Sequence, residues 1–128
     1  MNKKVQDWID GAEDALETAR VLFDSGRYLF TIFFCHLAIE KILKAAVSAK
    51  TGQAAPKTHS LIYLLNLADL SPPDHIAHFL RQIDMLSVPT RYPEAQVDIK
   101  FTFNRGRTLE FLEKTREAVR WTKESIAS

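Results

Sequence analysis

Hydrophobic residues recur at alternating steps of four and three along the first segment of the chain. They are Val5, Ile9, Ala12, Leu16, Ala19 and Phe23. This spacing puts them on one face of an α-helix whose other face is polar. We therefore predict an amphipathic first helix that ends at Gly26, since glycine is common just after helices.

The next segment, from Arg27 to about Thr51, has apolar residues on almost every side of the predicted helix. A helix of this kind contacts several neighbours and lies in the centre of a bundle. Its polar residues His36, Glu40 and Lys44 follow one another at steps of four and share one narrow ridge. The ridge fits either a solvated face with one favourable Glu–Lys pair or the polar side of a site.

Two shorter helices are expected after Gly52. The first of them carries the apolar residues Leu61, Leu64, Leu65 and Ala68. For the second, Ser71, Pro72 and Asp74 match a cap, a first-turn proline and a third-position acid, and Pro89 closes the helix.

A last helix begins at Asn104 or Thr108 and has apolar and threonine residues on its inner face. Before it, Val97, Ile99, Phe101 and Phe103 alternate with polar residues, which is the period of extended chain. We expect an extended arm there, because the chain offers no partner strand, and the arm lays its apolar side on the bundle or on a second subunit.

The predicted fold is all-α, an antiparallel up-and-down bundle of four to five helices, in a single domain over residues 1–128. Only 4 glycines and 5 prolines punctuate the chain, which disfavours a many-stranded sandwich or barrel. No apolar stretch is long enough to span a bilayer, and the start has no signal-like region. We therefore expect a soluble, cytoplasmic protein.

Charge is distributed unevenly although the net charge is only +1. Residues 7–20 hold five acids and one base, whereas residues 40–59 hold four lysines and one acid. Residues 100–107 add three bases and no acid. Such local excess can attract a phosphate group, but it is too small for the broad basic face of a duplex-binding protein.

Familiar enzyme signatures are absent, including a glycine-rich phosphate loop and a zinc-binding helix. His75 and His78 lie three residues apart, yet a metal site needs three or four convergent ligands, so we expect exposed histidines and neither metal nor cofactor. The single cysteine, Cys35, adjoins His36, but adjacent helical residues point in different directions. A buried thiol is expected.

The loop around Arg91 is the most specific candidate for binding. Pro89 and Pro93 restrict the backbone on either side of it, so Arg91 and Tyr92 are held in a stiff loop. The planar guanidinium of Arg91 suits a phosphate or a carboxylate. The structural alternative is an ion pair of Arg91 with Glu94 or Glu40 that joins the loop to the bundle.

Several short motifs, in order, resemble the HEPN domain family. They are Gly26-Arg27-Tyr28, Cys35-His36-Leu37-Ala38-Ile39-Glu40-Lys41-Ile42-Leu43-Lys44-Ala45, Lys57-Thr58-His59-Ser60-Leu61 and Thr90-Arg91-Tyr92-Pro93-Glu94. The resemblance extends from about Trp8 to Ile126. It implies a helical bundle that commonly dimerises and that is often encoded beside a small nucleotidyltransferase, in arrangements that include toxin–antitoxin pairs.

The family name refers to nucleotide binding. The resemblance implies a nucleotide site at Glu40, Lys44, His59, Arg91 and Tyr92. It also implies a homodimer and a small nucleotidyltransferase as partners, with a nucleotide or RNA as ligand. No membrane contact is expected, because no apolar stretch is long enough to span a bilayer.

The chain departs from the family's ribonuclease pattern, an Arg followed after four to six residues by His. None of its four histidines follows an arginine at that spacing, so we assign no catalytic residue. Two hypotheses remain. One is a non-catalytic nucleotide-binding module; the other is a metal-independent ribonuclease with a rearranged site, in which Arg91 holds the phosphate and His59 is the general acid or base. The missing spacing favours the first.

Overall fold

The computed structural model describes residues 2–87, 92 and 102–128. In this part of the chain the structure is helical and contains no strand. The five helices are α1 (Lys3–Asp24), α2 (Tyr28–Thr51), α3 (Leu61–Leu67), α4 (Asp74–Asp84) and α5 (Arg105–Ala127). The predicted all-α class is confirmed.

Helix α2 is the centre of the bundle, as its apolar pattern predicts. It packs against α1, α3 and α5, and most of its residues are buried. The largest of its fully buried apolar side chains are Ile32, Ile39, Ile42 and Leu43. Among the described helices, none has both the length and the apolar character needed to cross a membrane.

The turn between α1 and α2 depends on Gly26. Its φ of 76° lies in the left-handed region, where a side chain is strained. The Arg27 amide donates to the Leu22 carbonyl across this turn, at 2.8 Å. The short connection makes α1 and α2 antiparallel neighbours, so the buried stripe of α1 faces α2.

The start of α4 differs from the prediction. The helix begins at Asp74, and Pro73 holds the cap position without any side-chain capping bond, so Ser71 and Pro72 precede the helix. The predicted cap was wrong by two positions, because Pro73 disfavours helical backbone at Pro72, the residue before it, and Pro73 itself is extended at ψ 153° and is the cap. Helix α4 ends at Asp84, and Pro89 lies outside the described residues.

Asn104 caps α5, which was one of the two predicted starts. Its side-chain oxygen accepts a hydrogen bond of 2.9 Å from the Arg107 amide. Just before it, Phe103 is buried and packs edge-on against Phe111 of α5, with ring centroids 5.0 Å apart. Thr102 is helical, which differs from the predicted extended arm, and the part of that arm through Phe101 lies outside the described residues.

Candidate functional site

The polar ridge of α2 is buried. His36 is 0%, Glu40 4% and Lys44 8% exposed. The interpretation of the ridge as a solvated face is therefore wrong. The sequence does not exclude that interpretation, because one helix does not show which of its faces the short helices α3 and α4 will cover.

Glu40 is the centre of a polar cluster that includes two of the other predicted site residues. Its Oε2 accepts a hydrogen bond from Lys44 Nζ at 3.2 Å, and its Oε1 lies 2.9 Å from His59 Nδ1. The His59 side chain is 60% exposed, whereas that of Glu40 is 5% exposed. A buried carboxylate thus fixes one edge of an accessible imidazole.

The environment of Lys44 explains how a lysine is accommodated at this depth. Its ammonium group bonds to Glu40 and lies 5.3 Å from the centroid of the Trp8 ring, on α1. A buried cation needs such partners, because desolvation is costly and the negative face of an aromatic ring offsets part of the cost. Lys44 therefore compensates the charge of Glu40.

His59 is held in place by the short segment that leads into α3. The Thr58 hydroxyl accepts a hydrogen bond from the Ser60 amide, and the Ser60 hydroxyl caps α3 by accepting from the Tyr63 amide. These local bonds set the path of the backbone on either side of His59. The Lys-Thr-His-Ser motif thus presents the imidazole to Glu40, nineteen residues earlier in the chain.

The interior of the cluster contains His36 and a residue that the sequence analysis did not identify, Asp84. His36 Nδ1 lies 3.9 Å from Glu40 Oε1, and His36 Nε2 lies 3.7 Å from Asp84 Oδ1. Within the described part of the chain, neither nitrogen has a hydrogen-bond partner of normal length. Nothing in the local sequence marks Asp84, since a single acid at the end of a helix becomes informative only after folding.

Asp84 also caps α3 from a different helix. Its carboxylate accepts hydrogen bonds from the amides of Leu61, at 2.8 Å, and of Ile62, at 3.5 Å. Burial by itself raises the pKa of Asp84, but the His36 ring and these two amides outweigh it and lower the pKa below its ordinary value. Asp84 therefore ties the end of α4 to the start of α3, next to His59.

The hydrogen bond with Glu40 decides which tautomer of His59 is present. An ionised carboxylate only accepts hydrogen bonds. Nδ1 of His59 therefore carries a proton and donates a hydrogen bond to Glu40. In the neutral ring Nε2 then has a free lone pair on an exposed side chain. The arrangement supports proton transfer at Nε2, or, in the protonated ring, a hydrogen bond from Nε2 to an anion.

The two other predicted site residues are not in the described cluster. Tyr92 is 51% exposed, which leaves its ring accessible. Arg91, together with its alternative ion pairs, lies outside the described residues. The structure thus brings Glu40, Lys44 and His59 together.

The remaining candidates have structural roles. Cys35 is buried, and burial raises the pKa of its thiol to about 12, which keeps the thiol protonated and unreactive. His75 and His78 are both exposed, and His75 Nε2 bonds to Glu117 on α5. Within the described part of the chain no three histidine, cysteine or acidic side chains converge as metal ligands.

Two solved structures have a similar fold. The crystal structure of TT1696 from Thermus thermophilus is 24% identical in sequence, with a TM-score of 0.80 over 96% of this chain and 98% of that chain. The structure of ST0689, described as an archaeal HEPN homologue, is 23% identical, with a TM-score of 0.74 over 98% and 99%. No curated protein matches the sequence.

The family model of the HEPN domain matches residues 5–126, almost the whole chain. This match covers the glycine turn, the ridge of α2 and the segment that carries His59. The chain belongs to the HEPN domain family.

Proposed function

We propose that this HEPN domain is a nucleotide-binding module that acts in the cytoplasm with a separate small nucleotidyltransferase, in an arrangement such as a toxin–antitoxin pair. The observation that carries the proposal is the exposed imidazole of His59 bonded to the buried carboxylate of Glu40, at 2.9 Å. It is supported by family membership, because the family resemblance implies both nucleotide binding and this kind of partner.

The chemistry of the cluster suits the phosphate end of a nucleotide. Protonated His59 would remain bonded to Glu40 through Nδ1 and donate from Nε2 to a phosphate oxygen, a charge-assisted bond. Lys44 would act indirectly, by compensating Glu40, because its ammonium group is buried and already paired. In the proposal Arg91 supplies a second phosphate contact and Tyr92 stacks on the base.

Calorimetric titration with ATP, ADP and AMP tests the nucleotide site. His59→Ala should weaken binding by roughly tenfold, as loss of a charge-assisted hydrogen bond does, and Arg91→Ala should have a similar effect. His75→Ala is a matched control, because His75 is also exposed and also bonded to a glutamate, Glu117. Equal affinities of wild type, His59→Ala and His75→Ala would remove His59 from the site.

The proposed assembly includes a homodimer. Most apolar residues of α2 are covered within the chain itself, so its first turn, with Phe30, is the part of α2 left for such an interface. Near the turn between α1 and α2, Val21 is 54% and Phe30 45% exposed. Contiguous exposed apolar surface is typical of interfaces. Light scattering at micromolar concentration should give twice the mass of 14.6 kDa; a monomer mass would contradict the dimer.

A second candidate function is a metal-independent ribonuclease with a rearranged site. The free Nε2 of His59 favours it, because a carboxylate-held imidazole can take a proton from a hydroxyl group. The missing Arg-to-His spacing argues against it, and we expect no efficient cleavage of a fluorescent RNA oligonucleotide in EDTA. Strong cleavage that is lost in both His59→Ala and Arg91→Ala would reverse the order of the two candidates.

A further inference from the structure

His36 is fully buried between two carboxylates that come from different helices. Nδ1 faces Glu40, one helical turn further along α2, and Nε2 faces Asp84, at the end of α4. The distances of 3.9 and 3.7 Å exceed normal hydrogen bonds, so the contacts are electrostatic in this arrangement. Among the residues that the structure describes, neither buried ring nitrogen has a hydrogen-bond partner. A buried polar group in this state needs an explanation.

The donors and acceptors of the cluster indicate how the ring is used. Ionised carboxylates only accept hydrogen bonds, whereas a neutral imidazole has one donor and one acceptor. A neutral His36 therefore presents a lone pair to one of its two carboxylates. The imidazolium form has two donors and matches both Glu40 and Asp84.

The charges around the ring are consistent with this assignment. Glu40 and Asp84 are acids, and Lys44 compensates one of them through its contact with Glu40 Oε2. His59, from the loop before α3, shares Glu40 Oε1 with His36. Helix α1 contributes the Trp8 ring, and α5 contributes Arg116, whose charge acts on Cys35, the neighbour of His36.

We propose that His36 is a positioning residue for the Glu40–His59 pair. Through Nδ1 it holds the Glu40 carboxylate in the orientation that accepts the hydrogen bond from His59 Nδ1. In its imidazolium form, it also links Glu40 to Asp84 through Nε2. Because Asp84 caps α3, the helix that follows His59, one buried ring connects both supports of the exposed imidazole. The role serves the phosphate site of the proposed function and rests on it.

Imidazole 15N–1H correlation spectra of the full-length protein without ligand test the proposal. The neutral His59 ring should carry its proton on Nδ1, because Glu40 accepts a hydrogen bond there. His36→Leu keeps the volume but removes both donors. It should release the Glu40 carboxylate from its orientation and lower the ratio of Nδ1–H to Nε2–H tautomer at His59 by about tenfold, the effect of losing the hydrogen bond between Glu40 and His59.

Two conservative variants separate positioning from packing. The side-chain amide of asparagine lies close to the position of Nδ1, and that of glutamine close to Nε2. His36→Asn should therefore restore the tautomer ratio of His59 through Glu40, whereas His36→Gln should not. Val119→Ala, a buried change on α5, is the control for general loosening of the core and should leave the ratio unchanged.

The proposal is overturned if His59 keeps the wild-type ratio in folded His36→Leu, or if Val119→Ala changes it equally. If His36→Leu does not fold, the comparison of His36→Asn with His36→Gln decides. Equal tautomer ratios of His59 in these two variants overturn the proposal. The measurement needs no nucleotide. If the tautomer ratios are as expected but no nucleotide binds, only the proposed function is contradicted. If nucleotide binds but the tautomer ratios differ from those expected, only the role of His36 is contradicted.

Discussion

The buried pair of Glu40 and Lys44 should show strong energetic coupling, in contrast to a similar pair on the surface. We consider Glu40→Gln, Lys44→Met and the double variant. Each single change leaves the other group buried without its charged partner, with side-chain exposures of 10% for Lys44 and 5% for Glu40. Removing one partner of a buried ion pair typically costs about 3–5 kcal/mol.

The distance between the two groups gives the scale of the interaction. At 3.2 Å between Lys44 Nζ and Glu40 Oε2, with an effective dielectric constant of about 20, the Coulomb attraction is about 5 kcal/mol. Desolvation of the two ions costs several kcal/mol and offsets most of this attraction, so the net stabilisation by the pair is small. Each charge nevertheless needs the other, because an unpaired buried charge is strongly destabilising. The double variant should therefore lose about 3–5 kcal/mol less than the sum of the singles, because the second change adds little once the first has removed the partner.

Urea unfolding followed by circular dichroism measures these free energies. Glu110 and Lys114 on α5 are the internal control, because they have the same residue types and the same spacing, with 2.9 Å between the charged atoms but 46% exposure of each side chain. The losses in unfolding free energy of Glu110→Gln and Lys114→Met should add up to that of their double variant within error, since solvent screens exposed pairs. Equal coupling in both pairs, or a loss below about 1 kcal/mol in both buried singles, would refute the reasoning.

Three further outcomes are expected. Native Cys35 should resist a thiol reagent at about pH 8 and react on unfolding, because burial raises its pKa to about 12; fast native labelling would contradict this. The lowered pKa of Asp84 means that its carboxylate stabilises the fold above about pH 4, and that this stabilisation is lost as pH falls through the lower folded pKa. The difference in unfolding free energy between wild type and Asp84→Asn should thus shrink from about pH 6 to about pH 3. Asn104→Ala should cost about 1 kcal/mol in urea unfolding by removing the cap of α5, whereas an unchanged midpoint would show that the cap contributes nothing.

The sequence by itself determined the helices. The stripe from Val5 to Phe23, the apolar α2 and the glycines that follow both helices are local patterns, and each maps directly onto a helix or its end. The start of α4 was misplaced by two residues, because Ser71 and Pro72 match a local capping rule, whereas the following Pro73 disfavours helical backbone at Pro72.

Tertiary structure alone decided what the polar residues do. One helix places Glu40 and Lys44 four residues apart but does not show whether solvent or another helix covers them, and that difference separates a weak surface pair from a buried charge cluster. His59 and Asp84 reach the cluster from distant positions in the chain, so no spacing rule predicts them together. Local propensity determines helices because it acts within a few residues, whereas a site depends on desolvation and charge pairing between helices, which exist only after the bundle has formed.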